Sequence, residues 1–175
     1  MTTKFSVFIR TKNNDWVLSQ TLNALFSQNI KPDEIIVVDS GSTDNTLKIL
    51  EDFNLSPKQI SPESYVPGKV INETLEEITN PIVVMLNSDS VLLSPESLQH
   101  LLAPFENKEV IATVGRQLPR HDAEDWVKRD YSVAFPDTEK LPDFMGLSFP
   151  LSAFRYDVWE KEKFYTKSWG SEDTE

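Results

Sequence analysis

Three polar clusters stand where apolar runs of strand length end. Arg10-Thr11-Lys12-Asn13 closes the run from Phe5, Asp39-Ser40 follows Ile35-Ile36-Val37-Val38, and Asn87-Ser88-Asp89 follows Ile82 to Leu86. A lone Asp, Ser or Asn after a strand often does no more than cap the next helix. At the carboxyl edge of a parallel sheet, however, three such clusters fall where ligands bind. Their mixture of carboxylates and cations suits a diphosphate bridged by a metal ion. The common phosphate cradles are missing: Gly68-Lys69 lacks the upstream glycine and the following Ser or Thr of a P-loop, and no GxGxxG occurs. A signalling receiver needs an acidic pair after its first strand, where this chain carries Arg10 and Lys12. Arg116, Gln117 and Arg120 follow a later strand, where cations can meet phosphate or an acidic acceptor. Neither His100, inside a helical pattern, nor His121 has a motif partner.

The elements that must position these clusters alternate between strand and helix, the pattern of βαβ units around a mainly parallel sheet. Asp15 is placed to cap a helix carrying Leu18, Leu22, Leu25 and Phe26. Ile35 to Val38 is apolar at every position, which predicts a strand in the centre of a helix-covered sheet. Ser40 to Asp44 is a turn opening a helix with Leu47, Leu50 and Phe53 on one face. After a proline-rich passage over Ser56–Pro67, a helix is predicted over 68–79, with Ile71, Leu75 and Ile78 inward. Another central strand covers Ile82 to Leu86. Ser94-Pro95 starts a helix with Leu98, Leu101 and Leu102 inward. A strand over 110–114, a long loop over 115–145 holding a short helix, a last strand over 146–154 and a helical turn near 156–161 complete the reading.

Bulk composition narrows the function. The 175 residues fit one domain. With Lys+Arg 17 against Asp+Glu 28, the net charge of -11 repels the phosphates of a nucleic acid, so no nucleic-acid partner is expected. Zero cysteines remove disulfides and thiolate metal sites and fit a reducing cytoplasm. No signal peptide or transmembrane run is visible, so the chain is expected to be soluble.

The chain resembles glycosyltransferase family 2, with its GT-A fold, over nearly its whole length. SVFIRTKNN looks like the family's first strand, IIVVDSGSTDNT like its second strand and turn, VPGKVINETL like the helix after the third strand, and VVMLNSDSVL like its DxD metal segment. GRQLPRHDAEDW and WGSEDTE are similar to stretches of a rhamnosyltransferase-like subgroup. The implied fold is α/β, a GT-A-type Rossmann-like sandwich with a central, mainly parallel sheet flanked by helices. Residues 1–175 would form a single domain cut short at its C-terminal end, since members normally continue past the motif found there.

The resemblance implies roles residue by residue. Arg10, Thr11 and Lys12 line the nucleotide pocket, and Asp39 accepts a hydrogen bond from the base, as uracil or thymine offers an N–H. Asp89 ligates Mg2+ or Mn2+, and Asn87 and Ser88 beside it bind the nucleotide sugar; Asn87 stands where the family's first DxD aspartate usually does and offers only a neutral oxygen. Lys69 and Asn72 approach the donor. Asp173 is the general base and Glu172 positions the acceptor. The implied reaction is inverting, metal-dependent transfer of a hexosyl or deoxyhexosyl unit from a UDP- or dTDP-sugar to a hydroxyl of a glycan or lipid-linked saccharide, in polysaccharide synthesis. It is expected in the cytoplasm, with peripheral association at the inner face of the membrane through the acceptor. The alternative is a nucleotide-sugar-binding module without turnover, because the chain ends two residues after the proposed base. A nucleotidyltransferase on a related fold is disfavoured, since RTKNND lacks the glycine such a loop requires.

Overall fold

Continuous apolar runs demand cover on both faces, and the computed structural model, which describes residues 4–138 and 149–167, supplies it. The elements run β1 (Phe5–Thr11), α1 (Leu18–Phe26), β2 (Glu34–Asp39), α2 (Thr46–Asp52), β3 (Lys58–Gln59), α3 (Pro67–Leu75), β4 (Ile82–Asn87), α4 (Ser97–Leu102), β5 (Ala112–Val114), α5 (Asp125–Ala134), β6 (Leu151–Arg155) and α6 (Tyr156–Lys161). Among the described residues the strands form one sheet in the order β3-β2-β1-β4-β6-β5. β1 pairs in parallel with β2 and β4, β2 does so with β3, and β6 runs antiparallel to both β4 and β5.

The alternation along each strand sorts the core into two layers. Val7, Ile9, Val37, Val84 and Leu86 face Leu18, Leu22 and Leu25 of α1, Leu50 of α2 and Leu98 and Leu101 of α4. Phe8, Val38, Val83 and Met85 face the opposite layer, with Val70, Ile71 and Leu75 of α3 and Trp159 of α6. Truncating any fully buried leucine here costs about 2–5 kcal/mol, the usual penalty for lost burial plus the cavity left behind.

Several boundaries differ from the sequence-based expectation for physical reasons. Asp15 does not cap α1; the Asn14 carbonyl accepts from the Val17 and Leu18 N–H groups, and the helix starts at Leu18. β2 lies second from the sheet edge rather than at the centre, and Ile35 and Ile36 are only half-buried. The α3 helix stops at Leu75, yet Ile78 in the turn beyond is still buried. β5 covers only 112–114, and β3 is a two-residue edge strand of polar composition. Part of the predicted last strand, 146–148, lies outside the described residues; the remainder forms β6 from Leu151.

One buried amide joins the first and fourth helices. Gln28 is 2% exposed, and its Nε2 donates to the Ser94 carbonyl at 2.8 Å while its Oε1 accepts from the Leu98 N–H at 2.9 Å. It therefore satisfies an N–H that the first turn of α4 would leave open. Gln28→Leu, close in size, is expected to lower stability by about 1–3 kcal/mol because the Ala24 and Ser94 carbonyls and the Leu98 N–H all lose this partner. Chemical denaturation would measure this, and an unchanged midpoint would mean that water takes over these bonds.

Candidate functional site

The sheet changes direction of winding at β1. From β1 the chain moves outward through β2 and β3 on one side, then crosses by α3 to β4 on the other. The carboxyl ends of β1, β2 and β4 and the passage after β3 surround a crevice there, the usual ligand position in such sheets. A polar cleft occupies that place, lined by Arg10, Thr11, Lys12 and Asn14 after β1, Ser40 after β2, Pro62, Tyr65 and Pro67 after β3, and Asn87, Ser88 and Asp89 after β4.

Strand alternation gives the cleft its chemistry. Arg10 and its register partner Asn87 emerge on the α3 side. The Arg10 Nη1 donates to the Tyr65 hydroxyl at 3.4 Å, and its guanidinium lies 5.2 Å from the centre of the buried Phe149 ring. Lys12 and Asp89 are exposed at the rim. Thr11 points to the other layer, where its Oγ1 is buried without a hydrogen-bond partner.

The loops around the cleft are laced by side chains. Asn13 takes a left-handed φ of 51° and its Oδ1 accepts from the Thr43 N–H at 2.8 Å, while its own N–H donates to the Ser42 Oγ at 2.9 Å. The Asn14 N–H donates to the Thr46 Oγ1 at 2.9 Å, and its Nδ2 donates to the Ser88 Oγ. Asp15 accepts from the Asn45 N–H and Nδ2 at 3.2 and 3.1 Å. Asp44 accepts from the N–H groups of Asp15 and Thr46. Burial pushes the Asp44 carboxyl up, but hydrogen bonds from Thr46 and Asp15 outweigh it and hold the pKa below the ordinary value. A depressed folded pKa means that this contribution is present above the ordinary carboxylate range and is lost as pH falls through the lowered value.

The structure separates the sequence-predicted residues into two groups. Arg10, Thr11, Lys12, Asn87, Ser88 and Asp89 come together in the cleft. Asp39 does not line it. It is 1% exposed, its Oδ2 accepts from the Gly41 and Ser42 N–H groups at 3.0 Å each, and its Oδ1 accepts from the Ser42 hydroxyl. The neighbouring Ser40 faces the cleft in its place. Asn72 is also turned inward: its Oδ1 accepts from the Trp159 Nε1 at 2.8 Å and the Phe164 N–H at 3.1 Å, and its Nδ2 donates to the Phe164 carbonyl at 2.7 Å. Lys69 is exposed and pairs with Glu73 at 3.8 Å, away from the cleft lining. Arg116 pairs with Asp137 at 3.1 Å, and the Arg120 guanidinium lies 5.7 Å from the Trp16 ring centre. Glu172 and Asp173 lie outside the described residues. Sequence reasoning missed Asn14, Pro62, Tyr65 and Pro67; the last three sit in or at the end of the proline-rich passage, whose strand, Lys58–Gln59, carries no sequence period.

Among the described residues lining the cleft, Asp89 is the single carboxylate. No group of three or more His, Cys, Asp or Glu side chains able to hold a metal occurs among the described residues. A single exposed carboxylate beside two cations still fits Mg2+ or Mn2+ arriving with a diphosphate, because these ions keep waters and take phosphate oxygens alongside one or two carboxylates. Among the described residues no helix is long and apolar enough to cross a membrane.

Comparison with known proteins matches this architecture. The sequence profile of glycosyl transferase family 2 covers residues 6–164. The chain is 28% identical over 172 residues to the O-antigen chain rhamnosyltransferase RfbN of Salmonella typhimurium, covering 90% of this chain and 54% of that protein. It is 32% identical over 126 residues to the O-antigen chain rhamnosyltransferase WbaN of Salmonella anatum, covering 68% of this chain and 38% of that one. It thus spans about half or less of these relatives. The mannosyltransferase PcManGT from Pyrobaculum calidifontis, solved with GDP-Man and Mn2+, superposes with a TM-score of 0.73 at 21% identity, over 98% of this chain and 50% of that one. The fold is accordingly the GT-A sandwich that the sequence motifs implied.

The bonding of Asp39 predicts how its variants behave. Asp39→Ala leaves two loop N–H groups without their acceptor and is expected to cost about 1–3 kcal/mol of stability. Asp39→Asn, which keeps one acceptor oxygen, should cost less. Equilibrium unfolding with parallel nucleotide titration tests this: a large affinity loss in Asp39→Asn at unchanged stability would return the carboxylate to a ligand-facing role.

Proposed function

From the premise that the chain belongs to glycosyl transferase family 2, we propose that the cleft at the carboxyl ends of β1 and β4 binds a nucleoside-diphosphate sugar and that the protein transfers its sugar to an acceptor hydroxyl. The observation that carries this reading is the convergence of Arg10, Lys12 and Asp89 on one polar cleft where the sheet reverses its winding. Cations there meet a diphosphate, and Asp89 would hold the divalent ion that accompanies it. Such an ion supplies charge neutralisation on the leaving diphosphate.

The chain's own groups divide the work. Arg10, fixed by Tyr65 and Phe149, presents its guanidinium from the α3 side, and Lys12 adds a second positive charge at the rim. Both favour negative charge developing as the sugar–phosphate bond breaks. Ser40 offers the base a hydroxyl on the β2 side of the cleft, with Asp39 behind it shaping the turn. The reaction is inverting, with the acceptor oxygen attacking the anomeric carbon opposite the departing diphosphate. Asp173 takes the hydroxyl proton and Glu172 positions the acceptor.

The likeness to O-antigen rhamnosyltransferases supports a deoxyhexose or hexose carried on dTDP or UDP, and a saccharide acceptor in polysaccharide synthesis. A lipid-linked acceptor would bring the protein to the inner face of the membrane, and the lack of cysteine accords with a reducing cytoplasm.

Chelation of divalent ions is expected to weaken nucleoside-diphosphate affinity, and Asp89→Asn should abolish the difference between metal-loaded and chelated protein. Calorimetry measures both; metal enhancement that persists in Asp89→Asn would remove Asp89 from the metal site. Asp173→Asn is expected to stop sugar transfer and leave nucleotide affinity unchanged. Full transfer by that variant would exclude Asp173 as the base. Nucleotide binding with neither transfer nor donor hydrolysis by the wild type would favour a binding module.

A further inference from the structure

The cleft lip that carries Asp89 is a tight turn. The Ser90 N–H donates to the Asn87 carbonyl at 3.0 Å, so Asn87 to Ser90 form a β-turn with Asp89 at its third position. The central peptide of this turn joins Ser88 to Asp89, and its carbonyl oxygen is that of Ser88. Rotating that peptide converts one turn type into another and changes the φ of Asp89, and the anchorage of its carbonyl fixes where the Asp89 backbone stands.

The Ser88 carbonyl is held from below. Thr21 of α1 is 0% exposed, and its Oγ1 donates to the Ser88 oxygen at 3.0 Å. A threonine inside a helix ordinarily returns its hydroxyl to the carbonyl one turn earlier. Thr74 of α3 does so, donating to the Val70 carbonyl at 2.8 Å. Thr21 instead reaches a residue 67 positions away. On its side chain Ser88 is held as well, by the Asn14 Nδ2, and Asn14 is anchored in turn to Thr46.

Flipping the central peptide would break the buried Thr21 bond to the Ser88 carbonyl. It would also drive Asp89 toward positive φ, which the third position of a type II turn requires. Among the described non-glycine residues only Asn13 and Asn54 have positive φ, so Asp89 occupies the unflipped state.

We infer that Thr21 is a positioning residue: by holding the Ser88 carbonyl it locks the Asn87–Ser90 turn and holds Asp89 at the cleft lip. The functional side of this inference rests on the nucleotide-sugar reading above, whereas the turn lock itself does not.

The test compares wild type, Thr21→Val, Thr21→Ser and Asp89→Asn in two measurements. The first is the amide NMR spectrum of the ligand-free protein. The second is the affinity for UDP, dTDP and GDP with and without Mn2+. Thr21→Val, nearly isosteric, is expected to shift the Ser88, Asp89 and Ser90 amides and to cut the Mn2+ enhancement about tenfold, the scale for losing a partner that orients a metal ligand. Thr21→Ser, which keeps the hydroxyl, should retain both wild-type properties. Unmoved amides with an intact Mn2+ enhancement in Thr21→Val would overturn the inference. Equal loss of affinity with and without Mn2+ would overturn it too, reducing Thr21 to a packing role. If Asp89→Asn keeps the wild-type Mn2+ enhancement, the metal reading has failed instead, and shifted amides in Thr21→Val would still uphold the turn lock.

Discussion

A cleft built from strand-end loops obliges the protein to satisfy every backbone group those loops bury. Unpaired N–H and C=O groups are costly inside a protein, and the ends of parallel strands expose them in rows. Here the debt is met by short polar side chains reaching from one loop to the next. Asn13, Asn14 and Asp15 after β1 engage Ser42, Thr43, Asn45 and Thr46 after β2. Asn14 then extends the lacing to Ser88 after β4. The shape of the cleft depends on this lacing, because the sheet fixes only where each loop begins.

The same constraint decides which polar residues remain available to a ligand. Asp39 is committed to the backbone of its own turn, where Gly41 adopts φ 84° and any Cβ would meet the Pro62 ring at 2.6 Å. Asn72 is committed to Trp159 and Phe164, fastening the end of the described chain to α3. Ser88 is held on both its hydroxyl and its carbonyl. What stays free to face the cleft is a rim of charge, Lys12 and Asp89, above Arg10, whose aromatic neighbours stiffen it. Rigid inner loops and a charged rim are what a site for a charged donor needs, since preorganised groups lose little freedom on binding.

Much of this was legible in the sequence. β2 and β4 carry unbroken apolar runs, β1 one interrupted by Ser6, and the polar residues at their ends mark the cleft. The motif order also identified the family and the GT-A sandwich. β3 was not legible, because Lys58-Gln59 carries no period and becomes a strand only by pairing with Val38 and Asp39. Asp39, which the family resemblance assigns to the base, bonds the backbone of its own turn. An aspartate followed by Gly-Ser is as good a turn former as it is a ligand contact, and only the bonds to Gly41 and Ser42 distinguish the two. Asn72, which the family resemblance assigns to the donor, bonds partners 87 and 92 residues away that leave no local trace in the sequence. Thr21 likewise reads as an ordinary helical threonine until Ser88 is seen above it.

The central claim is that a metal-bound nucleoside diphosphate sits between the β1 and β4 loops. Paramagnetic broadening by Mn2+ added with dTDP or UDP tests it most directly, since the ion's effect on each backbone amide falls steeply with distance. The account predicts that Lys12, Ser40, Tyr65 and Asp89 broaden first and that α5 and the β5 edge remain sharp. Broadening centred on α5, or spread evenly over the acidic surface, would contradict it.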